Sequence, residues 1–126
     1  MVQLGEDKRQ IGLTPVGQAS IELIYTDNEL FASETDAYKF GVTYAIAVGL
    51  DPDDAPAGGY NTKFNAIGTL DVDGVLREIL DVLAIGDPAR PYATAEKLAE
   101  LGLTAIAERL AGNETLADII ADVAQM

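Results

Sequence analysis

The chain has 126 residues, enough for one domain with little to spare. Apolar residues make up 48% and charged ones 23%, with no histidine, cysteine or tryptophan, which excludes wholesale disorder, a disulfide framework, thiolate or imidazole metal sites and Cys- or His-based nucleophilic catalysis. Eight Lys and Arg against 21 Asp and Glu leave a net charge of −13, a field that repels phosphate backbones at ordinary salt.

The acidity is uneven: residues 1–50 carry three bases against seven acids, residues 51–126 five against fourteen. The alanine-rich, lysine-poor composition is also that expected of proteins working in high salt, where acidic surfaces are general. The opening MVQLGEDKRQ lacks a basic-then-apolar signal pattern, and no apolar run is long enough to span a bilayer. The expectation is a soluble, cytoplasmic protein with no membrane contact.

In chain order, KRQIGLT at 8–14 reads as a short strand, with Ile11 and Leu13 alternating against Gln10, Gly12 and Thr14. Thr14 before Pro15 is a helix start, and the helix at about 15–27 sets Val16, Ala19, Leu23 and Ile24 on one face. The TDN at 26–28 stops it. Ser33-Glu34-Thr35-Asp36 opens a second helix as a capping box in form, and Ala37, Phe40, Gly41, Tyr44, Ala45 and Val48 follow at helical spacing until Gly49. Residues 51–61, DPDDAPAGGYN, have loop composition throughout. Residues from Lys63 to Leu70 can be extended. Asp71 then caps a helix with Val72, Val75, Leu76, Ile79, Leu80 and Leu83 on its apolar face. Thr94 is expected to cap the next helix, which Gly102 interrupts or ends. Gly112-Asn113 is a C-cap signal, and Thr115 starts a last helix with Leu116, Ile119, Ile120 and Val123.

Strand, helix, turn and helix within residues 8–50 resemble the ribbon-helix-helix superfamily of dimeric DNA-binding proteins, on the strength of Arg9-Gln10-Ile11-Gly12-Leu13-Thr14 and Phe31-Ala32-Ser33-Glu34-Thr35-Asp36-Ala37. The resemblance implies that two chains pair their strands into a ribbon for the major groove. Lys8, Gln10 and Gly12 then face DNA, Lys8 and Arg9 supply local positive charge, and Ser33 caps the helix at a phosphate. Ile11 and Leu13 turn inward to a dimer core that also takes Phe40 and Tyr44. The stretch YKFGVTYAIAVGL is similar to small accessory proteins of DNA-modification and phage-defence systems. Against DNA, Gly12 offers no side chain, and Glu34 and Asp36 occupy the place an anion would take.

Other constellations carry less. Asp71-Val72-Asp73-Gly74 invites a calcium loop, but the closing position falls on Leu80. Leu98 to Leu110 has few bases to hold DNA as a helix-turn-helix. The carboxylates Asp51, Asp53 and Asp54 sit in a loop with no His and no phosphate cradle, so neither a metal nor another cofactor is expected.

The expected fold is mainly α: a short N-terminal strand and two helices as a ribbon-helix-helix-like dimer (1–50), an acidic Pro/Gly loop (51–62) and a C-terminal helical extension (63–126). The expected function is that of a non-enzymatic, homodimeric DNA-associated factor in transcription regulation or phage defence. The alternative is an acidic protein–protein interaction module, antitoxin-like or DNA-mimicking, that binds a basic protein.

Overall fold

A computed structural model of the chain describes residues 7–26 and 30–125, and one long helix runs through its centre. The elements are β1 (Gln10–Leu13), α1 (Pro15–Ile21), α2 (Glu34–Val48), β2 (Asn61–Asn65), α3 (Val75–Val82), α4 (Pro91–Ala111) and α5 (Leu116–Ala124). Widened π-type turns follow α1 over Glu22–Thr26 and β2 over Ala66–Leu70. The described residues are mainly helical, with one two-stranded antiparallel sheet among them. The stop expected at Asp27-Asn28 lies outside the described residues, as does most of the segment before Lys8.

Helix α4 is the hub. Tyr92, Ala95, Leu98, Ala99, Leu103 and Ile106 are buried along it, and α1, α2, α3, α5 and β1 all pack against it. Gly102 does not end this helix. It lies where α2 crosses closest: a Cβ built there would stand 1.8 Å from the Gly41 carbonyl oxygen. Thr94 is not the cap either. Pro91 opens the helix, and the exposed-end N–H groups of Tyr92 and Ala93 are taken by the Asp7 carboxylate at 2.8 and 3.0 Å.

Strand β1 is not alone. It pairs with β2, aligning Gln10 with Asn65, Ile11 with Phe64, Gly12 with Thr62 and Leu13 with Asn61, with a bulge between Ile11 and Gly12. The backbone partner expected from a second copy is therefore supplied within the chain. The other edge is engaged too, because Gly12 and Thr14 donate their N–H groups to Glu96 and Glu100 of α4. Ile11, Leu13 and Tyr44 belong to this chain's own core, with Tyr38, Val42 and Ala45 of α2 beside them. Phe40 is half-buried against Phe31, ring centres 5.5 Å apart. Elements from residues 1–50 and 63–126 share one core.

Three of the expected N-terminal caps, Thr14, Ser33 and Thr115, are where the sequence puts them. The Thr14 hydroxyl accepts from Gly17 N–H, the Ser33 hydroxyl from Asp36 N–H, and Thr115 with Asp118 forms a reciprocal capping box. Gly49 ends α2 in the left-handed conformation, and Asn113 takes the positive φ after α4. The face of α1 differs from the expected one. Gly17, Ser20 and Ile21, with Ile24 in the turn beyond, point inward, whereas Val16 and Leu23 are solvent-facing. The inward side is set by close approach: a Cβ on Gly17 would overlap the Glu100 carboxylate at 2.2 Å.

Candidate functional site

The residues expected to face DNA have separate placements. The Lys8 ammonium donates to Glu96 Oε1 and lies 5.4 Å from the centre of the Tyr60 ring. Arg9 and Gln10 are exposed at the outer end of β1. Gly12 is buried: its N–H donates to Glu96 Oε2 at 2.8 Å, and its carbonyl accepts from the Tyr38 hydroxyl at 2.9 Å. A Cβ there would collide with the Asn61 carbonyl oxygen at 1.6 Å, so glycine is the residue that lets β1 and β2 close at the bulge. Ser33 is engaged as the cap of α2, and its neighbour Glu34 pairs with Lys63 at 3.2 Å.

Lys8 and Gly12 thus converge on a feature the sequence reading missed, the buried pair Glu96 and Glu100. Each is only 3% exposed. One turn apart on α4, both reach toward β1. Glu96 bonds Lys8 and Gly12. Glu100 takes the Thr14 N–H at 3.0 Å and the Thr14 hydroxyl at 2.6 Å. Burial, with these carboxylates nearby, pushes the Tyr38 and Tyr60 phenols above the usual tyrosine range. Among the described residues, no buried side-chain nitrogen or oxygen lacks a partner. The pair is therefore a polar staple joining α4 to β1, with its acceptors already filled. Its signal was present in AEKLAELGL, where Glu96 and Glu100 lie four apart on a helix that, Lys97 aside, is small and apolar over this stretch.

A third buried carboxylate anchors α3. The helix starts at Val75 with Gly74 at its cap position, three residues later than expected; Asp71 still accepts from the first-turn N–H groups of Leu76 and Arg77, and from the Tyr92 hydroxyl at 2.8 Å. The Tyr92 phenol is pushed up to about 12 by burial first and by that hydrogen bond second. Asp71 thereby ties the start of α3 to α4.

What α3 then presents is unusual for so acidic a molecule. Of the apolar face expected from sequence, Leu80 is buried and Leu76 half-buried. Val75, Ile79 and Leu83 remain exposed, as do Val72 at 73% and Val82 at 75%. Val75, Ile79, Val82 and Leu83, with Glu78 at their border, form a shallow groove of about 310 Å³. On the far side of Glu78 a cleft of about 460 Å³ is lined by Asp73, Asp81 and Asp87, with Leu80, Ile85 and Pro88. An apolar strip thus runs alongside a carboxylate border.

Among the described residues, no cluster of His, Cys, Asp or Glu is placed to hold a metal ion, and no helix is long and apolar enough to cross a membrane. No family model, characterised protein or solved structure matches this chain.

Proposed function

We propose that the chain is a non-enzymatic protein–protein interaction module whose partner is a basic protein. The observation that carries this reading is the α3 face, where Val75, Ile79, Val82 and, just past its end, Leu83 are turned to solvent on a molecule of net charge −13. Contiguous exposed apolar residues rimmed by charge mark sites of association, because water leaves such surface favourably when a partner covers it. The acids around it steer a cationic partner and repel an anionic one. Two further features support protein over DNA: Lys8 is neutralised by Glu96, and Glu34 and Asp36 occupy the first turn of α2.

The test is retention from host lysate on the immobilised chain, read by mass spectrometry, beside a gel shift against mixed-sequence duplex DNA. Recovery of a basic protein, with no DNA shift at low salt, is expected. A duplex shift that Lys8→Ala with Arg9→Ala abolishes would overturn the reading in favour of DNA association. Sedimentation at micromolar concentration is expected to give a monomer, since both edges of β1 are engaged within one chain.

A further inference from the structure

Resting on that reading, we infer that α3 is the docking surface itself, and that its occupant is an amphipathic helix of the partner, apolar along one stripe and bordered by Lys or Arg. The geometry sets both properties. The eight residues of α3 span about 12 Å at 1.5 Å per residue. Val75, Ile79 and Val82 are spaced i, i+4 and i+7, the ridge that a second helix crosses with its own i, i+3/i+4 side chains. Leu83 widens the strip on one side. On the other, the border passes from Glu78 to Asp81, with Asp73 and Asp87 across the cleft. Arg77 also lines that cleft, so the carboxylates outnumber the cations there four to one.

Charge complementarity selects this occupant over a second copy of the chain. Two copies meeting on this face would bring together two chains of net charge −13, each with Glu78 and Asp81 beside its apolar strip. A helix carrying lysines or arginines beside its apolar stripe answers both halves of the surface at once. Asp71, bonded to Tyr92 and to the first turn of α3, holds that surface in place before any partner arrives.

The probe is a leucine–lysine peptide of about five helical turns with leucines at i, i+3/i+4 spacing, titrated by fluorescence anisotropy against the whole chain. A peptide of the same composition in scrambled order is the control for charge alone. The amphipathic peptide should bind at least about tenfold more tightly than the scramble. Val82→Asp with Val75→Asp should weaken it by a similar factor although the variant is more acidic, a direction pure charge attraction cannot give. Val75→Ser with Val82→Ser should do the same without the added charge. Reversing Asp51 and Asp54 to Lys, in the loop before β2, should leave the affinity unchanged. Equal affinity for both peptides, or tighter binding by the aspartate variant, overturns the inference. So does a wild-type dimer that the serine variant converts to monomer, which would make a second copy the occupant. A basic lysate partner still held by the aspartate variant overturns this surface while leaving the broader reading intact; loss of that partner supports it.

Discussion

Replacing Gly102 with alanine isolates the contact on which the fold turns. In an ordinary helix interior, Gly→Ala is stabilising by about 1 kcal/mol, because alanine has the higher helix propensity and loses less backbone entropy. At residue 102 the new Cβ would stand 1.8 Å from the Gly41 carbonyl oxygen and 2.7 Å from its carbon. Both are backbone atoms of α2, so no side-chain rotation relieves the overlap, and α2 must move away from α4. Gly41 itself packs against the Leu103 side chain, and Tyr38, Val42 and Ala45 are buried on the same helix. Separation of the two helices loosens all of them. Overpacking of a tight core costs typically about 1–3 kcal/mol, and more when backbone must shift. Net of the propensity gain, Gly102→Ala should be destabilising by roughly 2 kcal/mol. For a domain of this size that is a fall in Tm of roughly 8 °C. Urea denaturation followed by far-ultraviolet circular dichroism measures it directly. A variant as stable as the parent would refute the close crossing of α2 and α4.

Glu100→Ala should be destabilising by about 3 kcal/mol, since it leaves the buried Thr14 N–H and hydroxyl without their acceptor; Glu100→Gln, which keeps one acceptor oxygen, should cost clearly less in the same urea titration. Tyr44→Ala, at a buried position bonded to Arg109, should cost about 3 kcal/mol, and Phe40→Ala, half-buried, about half that; equal effects would contradict the assigned packing. The folded state holds the Tyr92 proton up to about pH 12, whereas the unfolded chain releases it near 10. The stability from that phenol is therefore complete below pH 10 and falls as pH rises toward 12, by at most about 1.4 kcal/mol for each pH step. Tyr92→Phe should flatten that fall, and an unchanged slope would count against the Tyr92–Asp71 bond.

Sequence signals that act within a few residues were readable. Thr14, Ser33 and Thr115 each cap through their own side chain onto an N–H group three residues on, so composition alone places them. Signals completed far along the chain were not. Gly102 reads as a helix breaker until Gly41 is set against it. The cap of α4 comes from Asp7, 85 residues before Tyr92, and β1 finds its partner some fifty residues later, across α1 and α2. The inward face of α1 does not follow the helical spacing of its apolar residues. Where backbone and carboxylate approach most closely, the small residues Gly17 and Ser20 go inside, and Val16 stays out. At the candidate site, the apolar positions of α3 were legible but their exposure was not. An apolar stripe says that a helix has something to bury, and the identity of the covering surface lies in the rest of the fold.

The acidity of the chain divides into parts with different physical meaning. Asp71, Glu96 and Glu100 are almost fully buried and accept hydrogen bonds from β1, from Thr14 at the cap of α1, from α3 and from Tyr92. Adaptation of a surface to salt cannot account for carboxylates that water does not reach. They serve as acceptors that join short elements to α4. The carboxylates along α3 are different again. General acidity keeps a protein dispersed by covering it with hydrated charge, and a row of exposed valine and leucine works against that end, more so in salts that strengthen apolar association. An acidic border beside an uncovered apolar strip is consistent instead with selective association: the charge repels other acidic molecules, including further copies of this chain, and leaves the strip open to a cationic partner.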